Sequence, residues 1–267
     1  MVSQEQMEQY CTEGYFVADN PPPDLEELVA AGKRVKARVR AGEVDVYTHW
    51  AGAGEPWCIR GLLAPEMGEP VFAKHMISNW AMDYSRAFIG AEMRLGWIDL
   101  RTNPHDKDFP GGWHRDLALD YANCSLEEEM EQLNKPEVHT RWYVPLVDDA
   151  CLFLVPGSHL RGQTDEERNA LVNDKDGHIP GQKCIEMKKG QVGFWNGKTI
   201  HKGEMKKDVE RLTLAASWRK HSDDDPPEKI DGRFEWRLRE SVREALPEKM
   251  HLYYDRWKNL QLSEEAA

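Results

Sequence analysis

The spacing of apolar residues along the chain changes twice. Apolar residues recur at helical intervals in "QEQMEQYC" and again in residues 22–42, where Asp24 stands as a candidate cap and Gly42 follows the last turn. From about residue 93 the pattern changes to short apolar runs separated by turn residues, which is typical of β-strands. These runs are "MRLGWIDLR", "RWYVPLVDD", "CLFLVPGSH", "KCIEMKKGQVGFW" and "RLTLAASW". After "SDDDPPEK", the tail from residue 233 returns to helical spacing.

These changes predict a β core with helices on both sides. We expect one domain over residues 1–267, with a helical N-terminal part at about 1–92, a β core at about 93–220 and a helical extension at about 221–267. Residues 43–92 are ambiguous in pattern. Two polar insertions, residues 123–139 and 161–182, interrupt the β core as loops, and the second opens like a short surface helix.

Composition and charge limit the classes of partner. The net charge of −12 disfavours binding to nucleic acid or anionic lipid, because phosphate binding is driven mainly by cations. The one basic run, residues 33–40, has Val35 and Val39 at helical spacing, so it is expected to be a solvated helix face. There is no apolar run of membrane-spanning length and no secretory signal pattern. We therefore expect a cytoplasmic protein, a monomer or small homo-oligomer, that acts on a small molecule without nucleic-acid or membrane partners.

The five cysteines are widely spaced and include no C-x-x-C pair. This pattern argues against a disulfide framework and against a cysteine zinc site, so the thiols are expected to be reduced.

The stretch "GGWHRDLALDYAN", residues 111–123, allows two interpretations. Residues 114–117 match the start of a protein-kinase catalytic loop, which requires Asn seven positions after its His, but position 121 is Tyr. The glycine-rich loop and the lysine strand of a kinase are also missing upstream. The kinase interpretation is therefore excluded.

The second interpretation is a metal site. His114 and Asp116, two positions apart on a strand, share one face, and His201 about 85 residues downstream is the best candidate for a third ligand. Two imidazoles and one carboxylate leave three coordination positions of an octahedral Fe(II) ion open, two for a bidentate 2-oxo acid and one for dioxygen. Ten residues after His201, alternation places Arg211 and Thr213 on one strand face, where they could bind the far carboxylate of that acid.

In these candidate ligands and the segments around them, the sequence resembles the phytanoyl-CoA dioxygenase family of Fe(II)- and 2-oxoglutarate-dependent oxygenases. The matching segments occur in the family's order: "WHRD" (113–116), "RWYVPLVD" (141–148), "LFLVPGSHLRG" (152–162), "KKGQVGFWNGKTIHKG" (188–203) and Arg211. The resemblance implies a double-stranded β-helix, a jelly-roll or cupin-like fold, in a single oxygenase domain. It also implies that His114, Asp116 and His201 are the metal ligands and catalytic residues, that Arg211 binds 2-oxoglutarate, and that Trp142 lies near this cofactor.

The implied activity is a dioxygenase reaction that hydroxylates or otherwise oxidises a small organic molecule and releases succinate and CO2. Two segments depart from the family pattern: the turn before "PGSH" is short and lacks an Asn-Gly pair, and the insertion between Asp116 and Trp142 could form a lid over the substrate. The retained carboxylate at Asp116 disfavours a halogenase, and the negative net charge disfavours a CoA thioester as substrate.

Other interpretations remain open at this stage. The same scaffold could bind a metal or a small acid without catalysis, or it could be a cupin-type isomerase or hydrolase, which would not require Arg211. His159, in "PGSH", is expected to support a turn rather than to bind the metal.

Overall fold

The computed structural model describes residues 2–52 and 55–262. Before the β core the chain forms α1 (Gln4–Glu13), β1 (Tyr15–Ala18), α2 (Leu25–Arg40), β2 (Thr48–Gly52), β3 (Glu55–Ile59), α3 (Val71–Met76) and α4 (Asn79–Ile89). The core contains β4 (Met93–Thr102), β5 (Phe109–His114), α5 (Leu126–Asn134), β6 (His139–Pro145), β7 (Asp149–Leu154), α6 (Asp165–Val172), β8 (Lys183–Met187), β9 (Val192–Trp195), β10 (His201–Met205) and β11 (Leu212–Lys220). The tail forms β12 (Glu228–Lys229), a 3-10 segment (Gly232–Leu238), α7 (Glu240–Ala245), α8 (Glu248–Lys258) and β13 (Gln261–Leu262).

Two antiparallel sheets face each other, as expected for the double-stranded β-helix. Within the described residues the larger sheet has seven strands in the order β1-β9-β6-β11-β4-β3-β2, and the smaller has four in the order β5-β10-β7-β8. Strands that are distant in sequence therefore pair: β11 lies between β4 and β6, and β10 lies between β5 and β7. The predicted fold class, a cupin-like β core flanked by helices, is confirmed.

The N-terminal part is not wholly helical. It contains the two predicted helices, α1 and α2, and two more, α3 and α4, in the ambiguous segment, but β1, β2 and β3 also extend the larger sheet at both of its edges. The sheet therefore begins well before residue 93. The strands were missed because β1 has four residues and the other two lie within the ambiguous segment 43–92.

The main hydrophobic core lies between the larger sheet and the helices. Side chains alternate along β11, so that Leu212, Leu214 and Ala216 enter this core while Ala215 packs in a second cluster between the two sheets. The predicted alternation on this strand is confirmed. Apolar side chains of α8, including Tyr254, complete the main core from the C-terminal side.

The basic face of α2 is a solvent face, as predicted. Val35 and Val39 are buried, whereas Arg34 pairs with Glu69 at 2.7 Å and Arg40 pairs with Glu55 at 2.6 Å. None of the described helices is both long enough and apolar enough to cross a bilayer.

Candidate active site

The three predicted metal ligands lie together where β5 and β10 pair. His114 ends β5 and His201 begins β10, and the two residues are partners in the antiparallel register. Asp116 lies two residues beyond β5, where its backbone N–H donates to the Gly197 carbonyl at 2.8 Å. Asp116 Oδ1 is 3.8 Å from His114 Nε2 and 4.0 Å from His201 Nε2, and the two imidazole centroids are 4.3 Å apart. One candidate ligand atom from each residue falls within 4.8 Å of the others, which suits a single ion.

Both histidines are held so that the same ring nitrogen faces the third ligand. His114 Nδ1 lies 2.8 Å from the Gly112 carbonyl, and His201 Nδ1 lies 2.8 Å from the Thr199 carbonyl. A carbonyl oxygen can only accept, so each Nδ1 carries a proton, and Nε2 is the nitrogen that each ring offers to a metal. Burial, followed by the neighbouring His114, lowers the pKa of His201 to about 4, so its ring is neutral at physiological pH.

Arg141 holds the other oxygen of Asp116. Its Nε lies 3.2 Å from Asp116 Oδ2, which leaves Oδ1 on the side of the histidines. Burial favours the neutral acid, but His201, Arg141 and His114 together outweigh it and keep the pKa of the Asp116 carboxyl below its usual range. The approach of Arg141 requires a glycine at position 197, because a Cβ there would lie 2.6 Å from the guanidinium carbon.

A cleft of about 470 Å³ opens from the three ligands into the space between the sheets. Arg211 lines it, and its Nε donates to Asp149 at 2.8 Å. Among the described residues, no hydrogen bond engages the terminal nitrogens of Arg211, so they can receive a carboxylate. The buried Thr213 does not line the cleft; its hydroxyl donates to Asp149. The expectation that Thr213 contacts 2-oxoglutarate is not supported by this position, since the residue instead orients the partner of Arg211.

Trp142 also lies away from the position that was expected for it beside the cofactor. It lies in the main core, with its ring centroid 6.5 Å from that of His75, and it does not line the cleft. The aromatic residue of β6 that lines the cleft is Tyr143, one position along the strand. The expected contact between Trp142 and the cofactor is therefore not supported, because successive side chains of a strand face opposite sides.

Three other polar residues near the site have structural partners. Arg115 is buried, pairs with Glu129 at 3.3 Å and donates to the carbonyls of Ser158 and Lys198 at 2.7 and 2.9 Å. His159 Nε2 lies 3.1 Å from the Cys11 carbonyl, consistent with the expected supporting role. Lys198 Nζ donates to the Leu133 carbonyl at 3.0 Å, within a second cavity beside Asp116.

The insertion that could form a lid is anchored at α5. Glu129 of this helix is fully buried against Arg115, and the carbonyl groups at its C-terminal end receive Lys198. A segment held by a buried ion pair has little freedom to open, so the lid hypothesis finds no support in these contacts.

Sequence reasoning missed Arg141, Tyr143 and Asp149. Arg141 and Tyr143 alternate on β6 and both face the cleft, but the resemblance had directed attention to the residue between them. Asp149 is the second of two adjacent aspartates at the start of β7, and only its burial beside Arg211 distinguishes it from the exposed Asp148.

The fold is shared with solved non-haem iron oxygenases. EctD from S. alaskensis, solved with 2-oxoglutarate and 5-hydroxyectoine, superposes with a TM-score of 0.61 at 20% identity over 82% of this chain and 76% of that one. AviO1 from Streptomyces viridochromogenes gives 0.59 at 17% identity over 85% and 98%, and the 2-oxoglutarate-dependent carbocyclase SnoK of nogalamycin biosynthesis gives 0.55 at 19% over 82% and 84%. At these identities the likeness is one of fold. No curated protein matches the chain in sequence.

A family model for phytanoyl-CoA dioxygenase (PhyH) matches residues 2–207, a range that includes all three candidate ligands and the strands that carry them. The chain therefore belongs to the phytanoyl-CoA dioxygenase family.

Proposed function

We propose that this protein is an Fe(II)- and 2-oxoglutarate-dependent dioxygenase that hydroxylates or otherwise oxidises a small organic molecule, with release of succinate and CO2. One observation carries the proposal: His114, Asp116 and His201 bring three ligand atoms close together in the lining of a cleft that also contains the buried cation Arg211. The second arm of a chelating dicarboxylate would need such a cation.

Family membership and the His-Asp-His set indicate Fe(II) as the metal and 2-oxoglutarate as the cosubstrate. The donor set fits, because two imidazoles that present Nε2 and one carboxylate are the protein ligands of mononuclear iron oxygenases. When bound, the iron activates dioxygen and the 2-oxo acid supplies electrons as it loses CO2.

The protein's own residues orient and isolate these reactants. The backbone carbonyls at Gly112 and Thr199 fix the two imidazoles, and Arg141 fixes the carboxylate, so the three ligands need little rearrangement. Arg211 and the hydroxyl of Tyr143 face the same cleft, where we place the far carboxylate of 2-oxoglutarate. Burial raises the pKa of Tyr143, so its phenol stays protonated and can donate.

The two alternative functions explain less of this cleft. A zinc-dependent isomerase or hydrolase could use the same three ligands but would leave the free terminal nitrogens of Arg211 without a role. A protein that only binds a small acid would not need three metal ligands beside the acid site. The three metal ligands together with Arg211 favour catalysis, but they do not identify the substrate.

The test is an anaerobic titration with Fe(II) followed by 2-oxoglutarate, monitored by the weak visible charge-transfer band of a chelated 2-oxo acid. We expect the band in the parent protein and its loss in His114→Ala, Asp116→Ala and His201→Ala. His105→Ala is the matched control, because His105 is exposed and lies outside the ligand set. Arg115→Ala is unsuitable as a control, because it would leave Glu129 buried without its partner.

A band that survives the loss of His201, or that never forms in the parent, would refute the ligand assignment. If the band forms normally, a panel of candidate metabolites can be tested for substrate-dependent succinate formation. Failure of every metabolite to stimulate succinate release while the band is present would favour the non-catalytic alternative.

A further inference from the structure

We propose that the substrate is a small organic anion, a carboxylate or a phosphate ester, with a flat apolar body. This inference rests on the proposed function, because it assigns the part of the same cleft that 2-oxoglutarate would leave free. It is drawn from the charges and aromatic rings that line that part.

The cleft is strongly cationic although the protein is acidic. Five arginines line it, and among the described lining residues Asp116 is the only carboxylate. Three of these arginines have their own partners, since Arg141 pairs with Asp116, Arg211 with Asp149 and Arg233 with Asp231. The remaining two are Arg60 and Arg101. They stand in contrast to the net charge of −12 for the whole chain.

Arg60 and Arg101 are incompletely neutralised. Arg60 and Arg101 share one carboxylate oxygen of Asp99, at 2.8 and 3.2 Å. Arg60 also donates to His49 Nε2 at 2.9 Å, and burial together with the two arginines lowers the pKa of His49, so that ring adds no charge. The buried Nε of Arg101 has no partner among the described residues. One carboxylate for two guanidinium groups leaves a net positive charge inside the cleft, and an anionic ligand would neutralise it.

Arg233 approaches the same region from the C-terminal extension. Its side chain is 46% exposed, against 9% for Arg60 and 15% for Arg101, so it lies at the open end of the cleft. It pairs with Asp231 on its own turn, while the adjacent Phe234 also lines the cleft. The cations therefore run from the open end inward, and a cleft of about 470 Å³ that must also hold 2-oxoglutarate leaves room for a small anion beside them.

Aromatic rings lie beside these cations. Trp57, Trp97 and Phe109 line the cleft and are partly exposed, and the rings of Trp57 and Phe109 stack at 5.3 Å with an interplanar angle of 28°. The Arg101 guanidinium lies 5.7 Å from the Trp57 ring. Flat aromatic surfaces next to a cation recognise a flat apolar group that carries an anion.

The experiment measures binding to the protein loaded anaerobically with Fe(II) and 2-oxoglutarate, by calorimetry. The probes are matched pairs: 3-phenylpropionate with 3-phenylpropionamide, phenyl phosphate with phenol, and 3-cyclohexylpropionate as the carboxylate without a flat ring. We expect each anion to bind about tenfold or more tightly than its neutral partner, and 3-phenylpropionate to bind more tightly than 3-cyclohexylpropionate. The ranking of phenyl phosphate against 3-phenylpropionate identifies the anionic group.

The variants are Arg101→Gln and Arg233→Gln, with Arg239→Gln as the control. Arg239 lies just after the same 3-10 segment but pairs with Glu66 outside the cleft. The first two variants should remove most of the preference for the anions, whereas the control should keep it. Thermal melting of each variant checks that the fold persists.

Equal binding of anions and neutral partners, no binding of any anion at millimolar concentration, or tighter binding of an acyl-CoA than of every small anion would overturn the proposal. Failure of the proposed function would be distinct, because the charge-transfer band would then be absent from the parent. The preference of the metal-free cleft for anions could still be measured in that case by quenching of tryptophan fluorescence.

Discussion

Two adjacent aromatic residues of β6 have opposite environments. Tyr143 faces the cleft between the sheets, and Trp142 packs in the main core. Both are large aromatics in a run that is apolar throughout, so the sequence contains no alternation that would tell which one faces inward. The register of β6 against β9 and β11 determines which of the two residues faces the cleft, and that register depends on the whole sheet.

This difference leads to a prediction at the residue scale. Tyr143→Phe should weaken 2-oxoglutarate binding by about ten- to a hundredfold, because a hydrogen bond to a charged group contributes roughly 1.5–3 kcal/mol. The stability of the fold should hardly change, since the described residues provide no hydrogen-bond partner for the Tyr143 hydroxyl. Titration of the charge-transfer band with 2-oxoglutarate measures the effect.

The neighbouring variant Trp142→Phe is the control. It should lower the thermal midpoint, because it removes buried volume from the core, and it should leave 2-oxoglutarate affinity unchanged. If the two variants exchanged these effects, the placement of the cosubstrate beside Tyr143 would be wrong.

Some residues of the site could be predicted from the sequence and others could not. His114 and Asp116 lie two positions apart in one motif, and His201 with Arg211 follows in the family's order, so all four could be named in advance. Arg141 and Asp149 could not, because each acquires its role from a contact that only the folded chain creates. Asp116 is 25 positions from Arg141, and Arg211 is 62 positions from Asp149.

At the scale of elements, Asp149 joins the smaller sheet to the larger one. It begins β7, and its carboxylate accepts from Arg211, which precedes β11, and from Thr213 of β11. Asp149→Asn should destabilise the protein by about 3–5 kcal/mol, because it leaves Arg211 buried without a counter-ion. Asp148→Asn should have no measurable effect, since Asp148 and its partner Lys188 are exposed. Urea unfolding of the two adjacent variants makes the comparison.

The contribution of Asp149 should also depend on pH. Burial favours its neutral form, but Arg211, Thr213 and the Cys151 N–H outweigh burial and lower its pKa. A depressed pKa contributes stability above the unfolded value of about 3.9, and this contribution is lost as the pH falls through the lower folded value. The difference between the parent and Asp149→Asn should thus be constant near neutrality and shrink in acid; a difference that grows in acid would contradict the assignment.

The elements that sequence failed to predict are short strands at the sheet edges. β1 is four residues long and follows α1 after a single glycine, Gly14, with φ of +84°. Four residues are too few for the apolar pattern alone to distinguish a strand from the end of a helix. Such a strand forms because β9 is available for pairing, which is a property of the assembled sheet.

At the scale of the whole molecule, the C-terminal extension is part of the cleft. The family model ends at residue 207, yet Arg233 and Phe234 line the cleft from beyond that boundary. The segment that carries them is held against the sheet by Arg237, whose Nη1 donates to the Gly96 carbonyl at 2.6 Å. Helix α8 in turn holds this segment, because the Tyr254 hydroxyl donates to the Arg237 carbonyl at 2.5 Å.

The last prediction tests this connection. Tyr254→Phe keeps the ring in the core but leaves the buried Arg237 carbonyl without its donor, which should cost about 1–3 kcal/mol. The loss should be local: amide hydrogen exchange in residues 232–238 should become faster, while exchange in β11 stays the same. Tyr253→Phe is the matched control, because the Tyr253 ring packs on Trp218 at 4.9 Å and the described residues offer its hydroxyl no hydrogen bond. Equal exchange in the two variants would mean that the cleft end is held by packing alone, whereas faster exchange confined to Tyr254→Phe would make α8 the element through which the extension fixes Arg233 and Phe234.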